Sequence, residues 1–311
     1  MKWTLKKAQK LYDMAFFDLI HKAHNVHKKN WKPDEIQISV LCSVKTGGCS
    51  ENCSYCPQSK HYNTGVQDEA LMTKTEILEC AKKAKEIGAG RFCMGAAWRG
   101  PKDDQVEYMA EVISEVKKLG LETCATFGLL KDGQAEKLKE AGLDFYNHNI
   151  DSSEDFYKRI ITTRKFKDRI DTIKKVQDAG INVCCGGILG MGEKTADRLE
   201  MLSILANMNP MPMSVPINKL IAIPGTPLAR MWKVDMFDFI RITAVARIMM
   251  PKSYIRFAAG REDTEEGFQA LCFYAGVNSI FYGEKLLTAQ NASPEKDEDL
   301  LKKLNLKKCS Q

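Results

Sequence analysis

The stretch KTEILECAKKAKEIGAGRFCMGA, residues 74–96, decides the fold. Its first half is a charged, amphipathic helix pattern, Gly88 stops that helix, and RFCMGA (91–96) follows as a short strand. The same unit recurs outward along the chain. VEYMAEVISEVKKLG runs into ETCATF (122–127), QAEKLKEAG into DFYNHNI (144–150), and RIDTIKKVQDAG into NVCCGGI (182–188), with Gly120, Gly142 and Gly180 at the junctions. QISVLCS (37–43) precedes these units, while VPINKLIAI (215–223), SYIRFAA (253–259) and NSIFYG (278–283) follow, with the helix pattern FDFIRITAVARIMM among them. Helix, glycine, strand, repeated, implies a parallel sheet. Eight such strands in 311 residues favour a closed (β/α)8 TIM-type barrel, class α/β, over an open doubly wound sheet.

The flanks are read from pattern and charge. Residues from Leu5 to Lys29 form an amphipathic helix that caps one end of the barrel, giving a helical cap over 1–36 and a barrel over 37–292. The tail, 293–311, is rich in Lys and Glu and is expected to be partly disordered. The chain is 44% hydrophobic and 28% charged, with a net charge of +6. Basic and acidic residues alternate along the helices, which argues against nucleic-acid binding. No run approaches the roughly 18 apolar residues of a membrane span. Lys6, Lys7 and Lys10 lead into a helix containing Asp13 and Asp18 and no small-residue cleavage site, so the expectation is a cytoplasmic protein without a secretory signal. In that reducing setting eleven cysteines, an odd number, point to metal or chemistry and not to disulfides.

The segment KTGGCSENCSYCPQSK (45–60) concentrates the chemistry, with Cys49, Cys53 and Cys56 in a CxxxCxxC cluster. A structural zinc site or an electron-transfer cluster normally has four protein ligands. Three cysteines holding a 4Fe-4S cubane leave one iron open, and an open iron can hold a small molecule. Taken alone, the triplet also allows zinc or a four-cysteine cluster completed elsewhere.

Strand alternation places further polar groups inside the barrel. Cys93 alternates with Phe92 and Met94, Arg256 with Ile255 and Phe257, and Asn218 with Ile217. Cys124 shares a face with Glu122 and Thr126, and Asn149 and Asp151 share one with Asn147. With the bulky apolar partners turned to the helices, Cys93, Cys124, Asn149, Asp151, Asn218 and Arg256 face the lumen. Ordinary barrels fill that space with branched apolar side chains, so such an interior implies a cavity for cofactors. In NVCCGG only one cysteine can face inward; parity selects Cys184, which alternates with Val183, and sends Cys185 to the helix layer. The plain alternatives are buried core cysteines, Asn149 and Asp151 satisfying backbone groups, and Arg256 paired with Asp151. Parity turns His148 away from the lumen, and His21, His24, His27, His61 and His148 are assigned no metal. GGILGMG lacks the GK[ST] ending of a phosphate loop.

With these segments in place, the chain resembles the radical S-adenosylmethionine superfamily and, within it, the biotin synthase family. The likeness is carried by KTGGCSENCSYCPQS, with Tyr55 before the last cysteine, and by RFCMGAAWR, GLDFYNHNID, AGINVCCGGILGMGE, SVPINKL, FDFIRITAVARIMMP, RFAAGRE and NSIFYGEKLLT. It spans Trp3 to Thr288. The resemblance implies that Cys49, Cys53 and Cys56 hold a 4Fe-4S cluster binding S-adenosylmethionine, and that Cys93, Cys124, Cys184 and Arg256 hold a 2Fe-2S cluster. It also implies contacts of Asn149 and Asp151 with the ribose and substrate, of Arg169 near the methionine carboxylate, of the Gly186–Glu193 loop, including Ile188, with adenine, and of Asn218 with the ureido ring of dethiobiotin. An arginine ligand is unusual, because a protonated guanidinium has no acceptor.

The implied activity is radical insertion of sulfur into dethiobiotin to form biotin. A 5'-deoxyadenosyl radical would remove hydrogen from unactivated carbons that side-chain acids and bases cannot reach, and sulfide of the second cluster would enter the product. The implied partners are a flavodoxin- or ferredoxin-type electron donor, iron-sulfur assembly proteins and a second copy in a homodimer. Family members often continue well beyond this C-terminus. The competing readings are another radical enzyme of the same superfamily, such as a methylornithine- or hydrogenase-maturation-like one, and a non-catalytic iron-sulfur carrier.

Overall fold

The computed structural model describes residues 2–309. Two helices, α1 (Leu5–Tyr12) and α2 (Phe16–Asn30), precede strand β1 (Glu35–Lys45). Where one helix was expected over 5–29, Asp13 to Ala15 break the run, because Asp13 caps α1 and Ala15 is extended. Regular alternation follows through α3 (Lys74–Glu86), β2 (Arg91–Ala96), α4 (Asp103–Lys118), β3 (Glu122–Thr126), α5 (Gln134–Glu140) and β4 (Phe145–Asn147). Then come α6 (Glu154–Ile160), α7 (Phe166–Asp178), β5 (Asn182–Cys184), β6 (Gly187–Leu189), α8 (Thr195–Ala206) and β7 (Ser214–Lys219). The series ends with α9 (Met236–Met249), β8 (Tyr254–Phe257), α10 (Glu266–Tyr274), β9 (Ser279–Phe281), α11 (Pro294–Lys303) and β10 (Lys307–Lys308).

All strand pairings between these elements are parallel, in the order β1-β2-β3-β4-β5-β7-β8-β9. β9 returns to β1 through Gln37–Ser279, Ile38–Ile280 and Ser39–Phe281, which closes the barrel. The expected single strand at 182–188 is two pieces of one stave, both paired with β7 in one register, Cys184 with Ser214 and Gly187 with Ile217. The break has a cause in β7. Ser214 O accepts from Cys185 N, so Pro216, two residues on, presents a nitrogen without a proton to the same edge. Gly186 sits against it, and a Cβ there would stand 1.9 Å from the Pro216 carbonyl oxygen.

Two apolar clusters match the alternation read from the strands. Phe92, Met94, Val183, Cys185, Ile217, Ile255 and Phe257 belong to the large core between barrel and helices. Cys93, Cys124 and Phe145 form a separate small cluster inside, against Leu41 and Phe281.

The charged tail is a correction. It folds as α11, with Ser293 accepting from Lys296 N, Pro294 in the first turn, and Leu300 and Leu301 buried. Asp297, buried, forms an ion pair with buried Arg261, and β10 adds to the start of β1. The leucines supply the apolar face that the charge count concealed.

His27, on α2, gives the fold a definite acid response. It is 1% exposed, its Nδ1 has no hydrogen-bond partner, and burial followed by the Arg247 charge holds its pKa down at about 3. The unfolded value is about 6.5, so the unfolded chain binds the proton first, and His27's contribution, complete above that value, is lost as pH falls from about 6.5 toward 3. Thermal melts from about pH 7 to 4 are expected to show a steeper fall in Tm for this chain than for His27→Gln. Equal slopes would contradict the assignment.

Candidate active site

The loop after β1 carries the first cysteine set. Gly47 has φ +71°, and a Cβ there would stand 2.1 Å from the Gln67 carbonyl oxygen, so only glycine lets the chain turn here. Lys45 Nζ ties the turn by donating to Thr46 O at 2.9 Å, Gly47 O at 2.6 Å and Asp68 Oδ1 at 2.5 Å. Cys49 N donates to Gln58 O and Lys60 N to Cys49 O, which folds the loop back so that Cys49, Cys53 and Cys56 line one chamber of about 180 Å³.

Beneath that loop lies a charge network around buried Glu51 that the sequence did not single out. Glu51, 2% exposed, faces Arg99 Nη1 at 3.0 Å and Arg164 Nε at 3.7 Å and accepts from the Thr163 hydroxyl. Arg164 Nη2 in turn donates to Cys53 Sγ at 3.6 Å. These arginines come from segments distant in sequence, and no spacing or periodicity marks them.

Asp151 links the loop to the barrel. Its φ of +66° is uncommon outside glycine, but it lets the carbonyl oxygen accept from Ile188 N at 2.9 Å while the carboxylate turns to the chamber. Oδ2 accepts from Arg169 Nη2 at 2.6 Å and from the Tyr55 hydroxyl at 2.8 Å. Burial is the largest single influence on Arg169 and opposes its charge, but Asp151 together with Tyr55, Tyr157 and Cys53 outweighs it and the guanidinium pKa goes up; burial and the same carboxylate push Tyr55 well above its ordinary value. Arg169→Met leaves Asp151 buried without its cation. The expected loss is about 3 kcal/mol of stability, read as a lower urea midpoint, whereas a surface-pair effect below about 1 kcal/mol would contradict this reading.

A second chamber, about 240 Å³, adjoins the first. Tyr55, Cys56, Gln58, Asn149, Asp151 and Leu287 border both, and Ile188 and Asn218 line the second. Asn149 Oδ1 accepts from Gly186 N at 3.0 Å, and Asn218 donates to Gly187 O at 3.0 Å and accepts from Ala259 N at 3.2 Å. Both asparagines therefore satisfy backbone groups as well as facing the cavity. Alternation runs on past the end of β4 at Asn147: Asn147, Asn149 and Asp151 all border the first chamber, while His148, which borders it too, is buried with its ring centre 6.2 Å from that of core residue Tyr146 and its Nε2 unpartnered.

Below the second chamber are the other sulfurs. Cys93 and Cys124 pair across β2 and β3, and Cys184 Sγ accepts from Asn147 Nδ2 at 3.3 Å. Cys124 donates to Cys93, which brings Cys93 down to about 7 and sends Cys124 well up. Arg256, 1% exposed, does not pair with Asp151; Nε donates to Ser279 Oγ at 2.9 Å and Nη2 to Ser39 Oγ at 2.8 Å, with the guanidinium 4.6 Å from the Phe281 ring centre. Arg91 closes the bottom. Its guanidinium lies 3.4 Å from the Phe145 centroid, Nε donates to Glu122 Oε2 at 3.0 Å, and Nη1 is buried without a partner.

The donor sets can be tested against the implied clusters. Among the described residues no three His, Cys, Asp or Glu side chains converge on a single-ion site. A cubane does not need such convergence, since each cysteine binds a different iron. All eleven cysteines are free, and three of them line the upper chamber beside cationic Arg164 and Arg169. The lower set combines three buried thiols with Arg256 and an orphaned Arg91 donor, surroundings that suit an anionic group. Both sets fit.

Comparison with known proteins agrees. The radical SAM superfamily matches residues 43–205, and the Biotin and Thiamin Synthesis associated domain matches 216–307. Biotin synthase of Rickettsia felis is 57% identical over 305 residues, covering 98% of this chain and 99% of that protein, so the expected C-terminal continuation is not a feature of this relative. Biotin synthase of Neorickettsia sennetsu is 57% identical over 304 residues, covering 98% and 94%. Among solved structures, methylornithine synthase has a TM-score of 0.83 at 18% identity, covering 99% of this chain and 95% of that one. A FeFe-hydrogenase maturase from Carboxydothermus hydrogenoformans has 0.82 at 18%, covering 97% and 75%. Those two share the fold alone. Identity over nearly the whole length, together with both domain matches, places this chain in the biotin synthase family of the radical S-adenosylmethionine superfamily.

Proposed function

We propose that this chain converts dethiobiotin to biotin by radical sulfur insertion, with the upper chamber holding S-adenosylmethionine and the lower thiols facing the substrate from beneath. One observation carries the reading. Cys56 of the upper set borders the apolar second chamber, and Leu41 and Phe281, which line the same chamber, pack on Cys93 and Cys124 of the lower set, with the Arg256 guanidinium 4.6 Å from the Phe281 ring centre. When bound, a 4Fe-4S cluster on the first set supplies the electron that cleaves S-adenosylmethionine, and a 2Fe-2S cluster on the second supplies sulfide.

The chain's own groups bind, orient and exclude water. Arg169 is the cation for the methionine carboxylate, and its ion pair fixes Asp151 with Oδ2 occupied, so Oδ1 accepts from the ribose. Asn149 has Nδ2 left to donate, Asn218 meets the ureido ring, and Ile188 packs on adenine. Ile221, Ile223, Leu286 and Leu287 give the second chamber an apolar wall, which keeps a carbon-centred radical from water.

Within the same proposal, a flavodoxin- or ferredoxin-type protein donates electrons, assembly proteins rebuild the lower cluster, and the enzyme is a cytoplasmic homodimer. The exposed Phe17 and Phe237, linked through Phe16, support a partner surface across α2 and α9. No helix among the described residues is long and apolar enough to cross a membrane. The test is anaerobic reconstitution with iron and sulfide, then product analysis with dethiobiotin, S-adenosylmethionine and reductant. Biotin is the expected product; 5'-deoxyadenosine without biotin favours another radical enzyme, and neither product favours a carrier.

A further inference from the structure

β2 sends every second residue into the barrel: Arg91 against Phe145 at the bottom, Cys93 above it, and Gly95 at the top. The first two levels are filled by their own side chains. The third has none, and Leu287 from the loop after β9 occupies the space. A Cβ at Gly95 would stand 2.6 Å from Leu287 Cδ2, and 3.7 Å from both Cδ1 and Cγ. Leu287 also borders both chambers, which makes it part of their shared wall.

The layer around it is continuous. Leu41 and Phe281 line the second chamber on one side and pack on Cys93, Cys124 and Phe145 on the other. The turn bearing Leu287 is anchored to β9. Leu286 N donates to Ala289 O at 3.0 Å, and Asn291 Nδ2 donates to Phe281 O at 3.1 Å and Gly283 O at 2.9 Å. The missing side chain at Gly95 and the tethered turn together fix where Leu287 stands.

We propose that Leu287, seated over Gly95, is a specificity-determining residue that holds the hydrocarbon part of the substrate at a set height between the two cysteine sets. The substrate class is a small molecule with saturated carbon at its reacting end; its identity as dethiobiotin rests on the biotin synthase reading. Leu287 offers only apolar surface, so it acts by excluding space and water. Its removal joins the two chambers and lets the substrate move away from the position where hydrogen is removed. The Gly95 side of the contact is equally specific: the three atoms nearest an added methyl all belong to the movable end of the Leu287 side chain.

The experiment compares Leu287→Ala, Gly95→Ala and the double variant, each reconstituted with both clusters. Two quantities are read: dethiobiotin affinity in the unreduced enzyme with S-adenosylmethionine, and 5'-deoxyadenosine formed per biotin. Each single change is expected to weaken dethiobiotin binding about tenfold and raise the ratio. The double variant is expected to bind within about threefold of Leu287→Ala, because the shortened side chain at position 287 leaves room for the added methyl. Singles within about twofold of the unchanged enzyme, or a double whose loss is the product of the two, would overturn the proposal. If Leu287→Ala does not retain its clusters, Leu287→Val takes its place with a smaller loss of about threefold expected, and no loss overturning the proposal. An unchanged enzyme that makes no biotin sinks the functional reading; one that makes biotin alongside indifferent variants sinks this inference alone.

Discussion

Cys56→Ala is expected to abolish 5'-deoxyadenosine formation, by about 1000-fold or more, while the cluster-free chain stays folded. The loop from Gly47 to Lys60 brings three sulfurs to one chamber, and no fourth cysteine borders it. Removing one sulfur leaves two ligands for a cubane that already has an open iron. Burial, then the Cys53 charge, pushes the Cys56 thiol up to about 12, so the cluster-free loop holds it neutral and its loss removes no structural charge. Iron content, cluster absorbance and nucleoside analysis of the reduced protein with S-adenosylmethionine would measure the effect. Retained cleavage in Cys56→Ala would place the cluster elsewhere.

Cys184→Ala is expected to eliminate 2Fe-2S absorbance and biotin formation while leaving 5'-deoxyadenosine formation measurable; Cys185→Ala is expected to retain all three. The two sulfurs are neighbours in sequence and opposite in direction. Cys184 Sγ accepts from Asn147 Nδ2, whereas Cys185, fully buried, packs in the core between barrel and helices. Truncating Cys185 costs packing of about 1 kcal/mol, a fall of a few degrees in Tm. Loss of the absorbance with Cys185→Ala alone would reverse the assignment.

Much of this arrangement was legible in the residues. Glycine-punctuated helix and strand patterns gave a closed parallel barrel, because a backbone that alternates this regularly has few ways to bury its strands. Parity turned Cys93, Cys124 and Cys184 inward, and the separate cluster of Cys93 and Cys124 agrees. Alternation held even beyond the end of β4, where Asn149 and Asp151 border the first chamber with Asn147. α11 was missed because abundant Lys and Glu masked Leu300 and Leu301. The pairs Glu51 with Arg164 and Asp151 with Arg169 join distant segments, and long-range ion pairing leaves no periodic trace. Leu287 over Gly95 is the same kind of contact, visible only once the loop after β9 is placed in space.

The central claim is that the two cysteine sets work on one substrate between them. The most direct measurement reconstitutes both clusters with isotopically labelled sulfide, then follows biotin and 5'-deoxyadenosine from dethiobiotin. This account predicts labelled sulfur in biotin and about two 5'-deoxyadenosine molecules for each biotin, one for each carbon activated. 5'-Deoxyadenosine without biotin, or biotin carrying unlabelled sulfur, would contradict it.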